Sequence, residues 1–135
     1  MVSSHVVETQ DHISEEALRE SATRMVRAGS VLIVVRSGIL RHTIPVAINT
    51  CPVALNQDMK AVVPNTMLLA GYLAHLIRGC QDSLLIEWRK AGATVESIEA
   101  DLLSNALFPL PPIEEQIIIT DFLDRETARI DALIT

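Results

Sequence analysis

The run Val31-Leu32-Ile33-Val34-Val35 sets the first condition on the fold. Four of its five residues are β-branched, which suits an extended strand better than a helix, where branched side chains lose rotamer freedom. A strand sends alternate side chains to opposite faces, so a run with no polar member must be covered on both. Gly29-Ser30 before it and Arg36-Ser37-Gly38 after it punctuate the two ends. The rest of the 135 residues must therefore supply two covering layers. A chain of this length suits one domain and can bury roughly 68% of its unfolded surface, enough for one core.

The other elements follow from punctuation and period. Ser14-Glu15-Glu16-Ala17-Leu18 predicts a short helix ending near Ser21, with a serine cap and two carboxylates at the positive end. Residues 42–49 predict a second strand, confined to an edge or a bulge by Pro45. Residues 59–63 predict a third, stopped by Pro64. Asn65 is expected to cap a helix carrying Leu68, Leu69, Tyr72, Leu73, Leu76 and Ile77, and the helical pattern resumes through Leu84, Leu85 and Trp88. After the break at Ala91-Gly92-Ala93, Thr94 is expected to cap a short helix with Val95, Ile98 and Leu102. Leu107-Phe108-Pro109-Leu110 is extended, since a residue before proline avoids the α region. Pro111-Pro112 opens the last helix, with Glu114 and Glu115 in its first turn.

Composition removes several functions. Aromatic residues are 3% of the chain (Tyr72, Trp88, Phe108, Phe122), too few for a platform that stacks single-stranded bases. The longest apolar stretch, residues 67–77, is too short to span a bilayer and contains His75, so no membrane segment is expected. No signal peptide is visible. Cys51 and Cys80 are solitary, which indicates neither a disulfide framework nor a zinc site. The expectation is a soluble, reduced, cytoplasmic domain.

Charge is segregated within a net of −6. Residues 1–23 carry −4, residues 24–90 carry +5, and residues 91–135 carry −7. The basic block comprises Arg24, Arg27, Arg36, Arg41, Lys60, Arg78, Arg89 and Lys90, and no acidic residue occurs between Ser21 and Gln57. A basic middle between acidic ends fits a polyanion-binding face joined to a helical arm. Chance clustering in a small protein is the competing account.

Catalytic patterns are sparse. There is no GxSxG, P-loop, GxGxxG or HExxH, and the histidines (His5, His12, His42, His75) are scattered, so neither a metal nor a cofactor is expected. Asp58-Met59-Lys60 matches half of a divalent-metal nuclease pattern, but that chemistry needs a second upstream carboxylate, and Glu20 is the nearest. A strand entry with a solvated lysine is the simpler reading.

Four segments carry a family resemblance: Ile13-Ser14-Glu15-Glu16-Ala17-Leu18; Gly29-Ser30 through Val35 to Arg36-Ser37-Gly38; Ala54-Leu55-Asn56-Gln57-Asp58; and Pro109-Leu110-Pro111-Pro112-Ile113-Glu114-Glu115-Gln116. In this order and spacing they resemble the target-recognition domain of type I restriction–modification specificity subunits (HsdS-like). The continuation Phe122-Leu123-Asp124-Arg125-Glu126-Thr127-Ala128-Arg129-Ile130-Asp131-Ala132-Leu133-Ile134 is similar to the start of that family's long spacer helix. The resemblance implies an α+β fold: a small, irregular, curved sheet with short helices, then a protruding C-terminal helix that begins a coiled-coil spacer. It implies a DNA-recognition part at residues 1–110, lacking an opening segment, and the spacer start at residues 111–135. It also implies a non-catalytic subunit that reads part of a split double-stranded target. The modification subunit, which holds S-adenosylmethionine, and the restriction subunit are then the expected partners. The rival is a helix-mediated assembly module whose basic block is incidental.

Chemistry assigns the expected contacts. Arg36 and Arg41 flank a loop and can grip guanine O6 and N7 or phosphate. Ser37 and His42 are shorter donors in the same loop. Lys60 is expected to touch phosphate. Asn56 and Gln57 can pair with adenine, with a turn or capping role as the alternative. Arg24 and Arg27 alternate on one strand face, which a solvated face explains equally well. On the last helix Ile119, Leu123, Ile130 and Leu133 form one stripe, widened by Phe122, Ile118 and Ile134, as a two-helix seam requires. A homodimer through this helix is expected, with folding back onto the domain as its rival.

Overall fold

The computed structural model describes residues 25–92 and 95–134. The expected first helix, its Ser14 cap, Arg24 and the Thr94 cap lie outside them. Strands β1 (Met25–Val26), β2 (Val31–Val34), β3 (Val46–Ile48), β4 (Val53–Ala54) and β5 (Met59–Val62) come first. A 3-10 helix, Gly38–Arg41, lies between β2 and β3. Helices α1 (Ala70–Gly79), α2 (Gln81–Trp88), α3 (Ala100–Ser104) and α4 (Ile113–Ile134) follow. The fold is α+β: two small antiparallel sheets, short helices and one long C-terminal helix.

The apolar run occupies the centre. β2 lies between β3 and β5, both antiparallel, with Val31 opposite Ile48 and Val62, and Ile33 opposite Val46 and Lys60. Val31, Ile33 and Val35 face the main core with Leu73 and Ile77 of α1 and Leu84, Leu85 and Trp88 of α2. Leu32 faces the other way with Ala61, Val26 and Leu55, under the β1–β4 ribbon. Leu32 is 9% exposed and Ile33 is fully buried, so both faces are covered. Burial of a side chain such as Ile33 stabilises the fold by about 1.5–3 kcal/mol.

Asn49 stitches the two sheets. Its Oδ1 accepts from Ser30 N at 2.9 Å, and its Nδ2 donates to the carbonyls of Val26, Arg27 and Cys51. The turn before β2 places Gly29 at φ 84°, a conformation glycine adopts without steric cost.

Three expected elements are shorter than their patterns. Residues 42–49 form a strand only over Val46–Ile48. Pro45 lacks an N–H and contributes only its carbonyl, which accepts from Val34 N, while Thr43 and Ile44 bond to Gln81 Oε1 instead. β3 is an edge strand, where Pro45 can be tolerated. The helix expected from Asn65 begins at Ala70; Asn65 Oδ1 accepts from Met67 N and closes a turn. The helix expected over Val95, Ile98 and Leu102 is confined to Ala100–Ser104. Upstream of it, Ser97 and Ile98 pair as bridges with Arg36 and Arg89.

The long helix is bound to the domain by its first half. Gln116 is fully buried; its Oε1 accepts from Leu69 N, and its Nε2 donates to the carbonyls of Met67 and Pro111, each at 2.8 Å. Tyr72 Oη donates to Pro109 O at 2.8 Å, and Phe108 meets Trp88 edge-to-face, so the proline segment is tied at several points. Thr120 packs against Gly71, where an added Cβ would lie 2.7 Å from Thr120 Cγ2. One turn further, His75 Nε2 meets Asp124 Oδ1 at 2.7 Å. Beyond Glu126 every described residue of the helix is exposed.

Candidate nucleic-acid interface

β2 runs on past Val34 into an irregular three-stranded edge. Ile98 N donates to Val35 O, Ser37 N to Glu96 O, and Lys90 N to Ser97 O, so residues 35–37, 96–98 and 88–90 lie side by side. Beside this edge is an open cleft of about 510 Å³. Arg36, Gln57, Lys90, Ser97 and the acidic Glu99 supply its polar lining, and Val35 and Ile98 part of its apolar floor.

The seven described cations of the basic block divide by what they touch. Arg27 Nη2 donates to Pro64 O at 2.6 Å and Arg78 Nη2 to Val46 O at 3.1 Å, so both brace backbone. Arg36 Nε meets Asp58 Oδ1 at 3.3 Å, and Arg89 Nε meets Glu96 Oε1 at 3.1 Å. Arg41, Lys60 and Lys90 have no side-chain partner among the described residues. The acid-free stretch in the sequence therefore did not leave Arg36 alone, because Asp58 reaches it from the turn before β5. That contact is an ion pair without hydrogen-bond alignment, although Asp58 Oδ1 itself is enclosed.

The residues singled out from the sequence fall in three places. Arg36 and Gln57 line the cleft, and Ser37 stands beside it, its Oγ accepting from Ile39 N to cap the 3-10 helix. Arg41 and His42 lie exposed at the far end of that 3-10 helix. Lys60 is half-buried on β5. Asn56 Oδ1 accepts from Asp58 N at 2.9 Å, the turn role weighed above. Lys90 was counted in the basic block but not placed at the site. Only the pairing of residues 88–90 with 96–98 brings it there, and no local pattern announces that pairing.

Among the described residues Asp58 has a cation, not a second carboxylate, as its neighbour, and Glu20, the upstream candidate, lies outside them. Among the described residues no three His, Cys, Asp or Glu side chains are grouped to hold a metal ion. No helix of the described residues is long and apolar enough to cross a membrane.

On α4, Gln116 and Thr120 are buried and Ile113 and Leu123 half-buried, one stripe at helical spacing that faces the domain. Ile119, Phe122, Ile130 and Leu133 of the expected seam are exposed, as are Ile117, Ile118 and Ile134. Exposure reaches 68% at Ile118 and 79% at Leu133. Glu126 stands between Leu123 and Ile130 in that seam and pairs with Arg129 at 2.9 Å. The helix thus docks through Gln116 and Thr120, flanked by half-buried Ile113 and Leu123, and leaves its other large apolar side chains uncovered.

The fold, the cleft edge and the trailing helix define the class: a small α+β domain carrying a helical arm. The chain belongs to the family of type I restriction modification DNA specificity domains, whose pattern it matches over residues 3–134. It is 40% identical over 117 residues to the EcoR124I/EcoR124II specificity subunit of Escherichia coli, covering 87% of this chain and 29% of that protein. It is 27% identical over 105 residues to the MjaIX specificity subunit of Methanocaldococcus jannaschii, covering 78% and 23%. A solved chain from a study of assembly and conformational transition of the type I R-M system superposes with a TM-score of 0.66 at 25% identity, covering 82% of this chain and 26% of that one. The HsdS subunit of Thermoanaerobacter tengcongensis superposes with a TM-score of 0.63 at 25% identity, covering 81% and 24%. The chain spans about a quarter of the length of these relatives.

Proposed function

We propose that this chain reads double-stranded DNA for a type I restriction–modification system, with residues 1–110 as the reader and residues 111–135 as the start of the spacer helix. The observation that carries the reading is the family match over residues 3–134, joined to a domain edge that gathers Arg36, Ser37, Gln57 and Lys90. Arg36, Ser37, Arg41 and His42 contact bases or phosphates from the segment after β2, Lys60 holds phosphate, and Asn56 and Gln57 border the same surface. The chain has no chemistry of its own. Modification and restriction subunits supply catalysis in the cytoplasm, and the modification subunit carries S-adenosylmethionine.

Titration of the chain with duplex DNA at rising salt tests this. Binding should be weak, no better than about 10⁻⁴–10⁻⁶ M near physiological salt for arbitrary sequence, and should fall steeply as salt rises. Binding that ignores salt, or none at any salt, would contradict it.

A second reading concerns assembly and rests on α4. Seven large apolar side chains lie exposed on that helix, more than a lone solvated surface ordinarily carries. A two-fold pair of these helices covers them, through Ile119, Phe122, Ile130 and Leu133 with Leu123 at the margin. Sedimentation checks it: a dimer at tens of micromolar supports the pairing, and a monomer opposes it.

A further inference from the structure

We infer that Asp58 is a positioning residue for sequence reading, which holds Arg36 for a guanine edge, while Lys90 across the same cleft grips phosphate without regard to sequence. The inference rests on the DNA-reading function proposed above and divides the labour within that site.

The two cations differ in what surrounds them. A guanidinium carries five N–H donors in a flat fork, and Asp58 meets Arg36 at Nε, on the side edge of that fork. The edge formed by the two terminal nitrogens has no hydrogen-bond partner among the described residues. That edge matches the paired O6 and N7 acceptors of guanine in the major groove. A carboxylate so close is unfavourable for gripping phosphate, since it repels the same charge that Arg36 would attract. It tolerates a neutral base edge, so the Asp58–Arg36 pair selects against the backbone and for the base. Lys90 forms no ion pair among the described residues, although Glu99 lines the same cleft, and its ammonium is a point charge suited to phosphate.

The turn that bears Asp58 is built from backbone. Asp58 N donates to Asn56 Oδ1, and Asp58 O accepts from Val35 N at 2.8 Å. Neither bond uses the carboxylate, so Asp58→Asn leaves the turn and the end of β2 intact.

The test is selection of a randomised duplex pool on the full chain, with sequencing of what is retained, for the parent, Asp58→Asn, Arg36→Lys and Lys90→Ala. The parent should enrich a guanine at one position. Asp58→Asn should lower that enrichment by about tenfold, within the range of one bidentate pair, while affinity for arbitrary duplex stays equal or rises because a negative charge is gone. Arg36→Lys keeps the charge, loses the fork, and should show the same loss of enrichment. Lys90→Ala should weaken every duplex alike and reduce the salt slope by about one, with the enriched base unchanged. Guanine enrichment that survives Asp58→Asn or Arg36→Lys would overturn the inference and leave the DNA-reading function standing. So would a bound pool with no enriched base. Failure of the parent chain to retain any duplex would overturn both.

Discussion

Replacing Gln116 by Leu removes the hydrogen bonds that seat the long helix while keeping the volume of the side chain. Gln116 is fully buried and satisfies three backbone groups on two segments: Leu69 N–H and Met67 O ahead of α1, and Pro111 O ahead of α4. Leaving a buried donor or acceptor unpaired costs about 1–3 kcal/mol. The amide N–H of Leu69 is the costliest, because it stands at the first turn of α1 where no intrahelical acceptor exists. The two carbonyls keep second lone pairs and should each fall near the lower bound. Leucine recovers part of the loss as apolar contact, so the net destabilisation should be about 3 kcal/mol, a large fraction of the ~5–15 kcal/mol that holds a domain together. Near this chain length 1 kcal/mol is worth about 3–5 °C, so the midpoint should fall by roughly 10–15 °C. Paired urea and thermal melts followed by circular dichroism read the effect. A fall below about 3 °C would refute the reasoning, because the helix would then be seated by other contacts.

Three further outcomes follow from the same packing. Gly71→Ala should destabilise by about 1–2 kcal/mol despite the ~1 kcal/mol gained in helix propensity, because the new Cβ meets Thr120 Cγ2 at 2.7 Å and the helices must separate; a higher melting midpoint would refute this. Burial, with a smaller contribution from the neighbouring Cys80, pushes the Tyr72 phenol above its ordinary 10.0. Its neutral form is thus favoured in the fold, so this contribution is whole below pH 10 and is lost as pH rises through the raised value. Tyr72→Phe should flatten that alkaline decline in stability, and an equally steep decline in the variant would oppose the assignment. Phe122→Asp, on the exposed side of α4, should abolish dimerisation in sedimentation while leaving the melting midpoint within a few degrees at dilute concentration, whereas a large loss of stability in the monomer would mean that the helix folds back further than described.

Local rules made the centre of this fold legible. Five apolar residues in series demanded cover on both faces, and β2 has it; Pro45 demanded an edge or a bulge, and β3 is an edge. Failures came where a distant group satisfied a local need. Asn65 looks like a helix cap, but the N–H at Leu69 is taken by Gln116, 47 positions away, so α1 starts later. The apolar stripe of α4 predicts a seam between two helices, with fold-back as its rival, but no hydrophobic period announces that polar Gln116 and Thr120 take the inward positions while the isoleucines stay outside. At the candidate site Arg36, Ser37, Asn56 and Gln57 were visible as residues able to donate to bases. The closeness of Asp58 to Arg36, and the arrival of Lys90 through the pairing of residues 88–90 with 96–98, depend on tertiary contacts that no short window contains.

The function proposed for this chain is to supply sequence recognition to enzymes that act elsewhere. The most direct measurement is to combine the full chain with the modification subunit of its own system and S-adenosylmethionine, then map every methylated base on genomic DNA. Methylation should be confined to one recurring motif in the presence of the chain, and that motif should be lost when Arg36 and Arg41 are both changed to Ala. Methylation at the same bases without the chain, or a motif unchanged in the double variant, would contradict it.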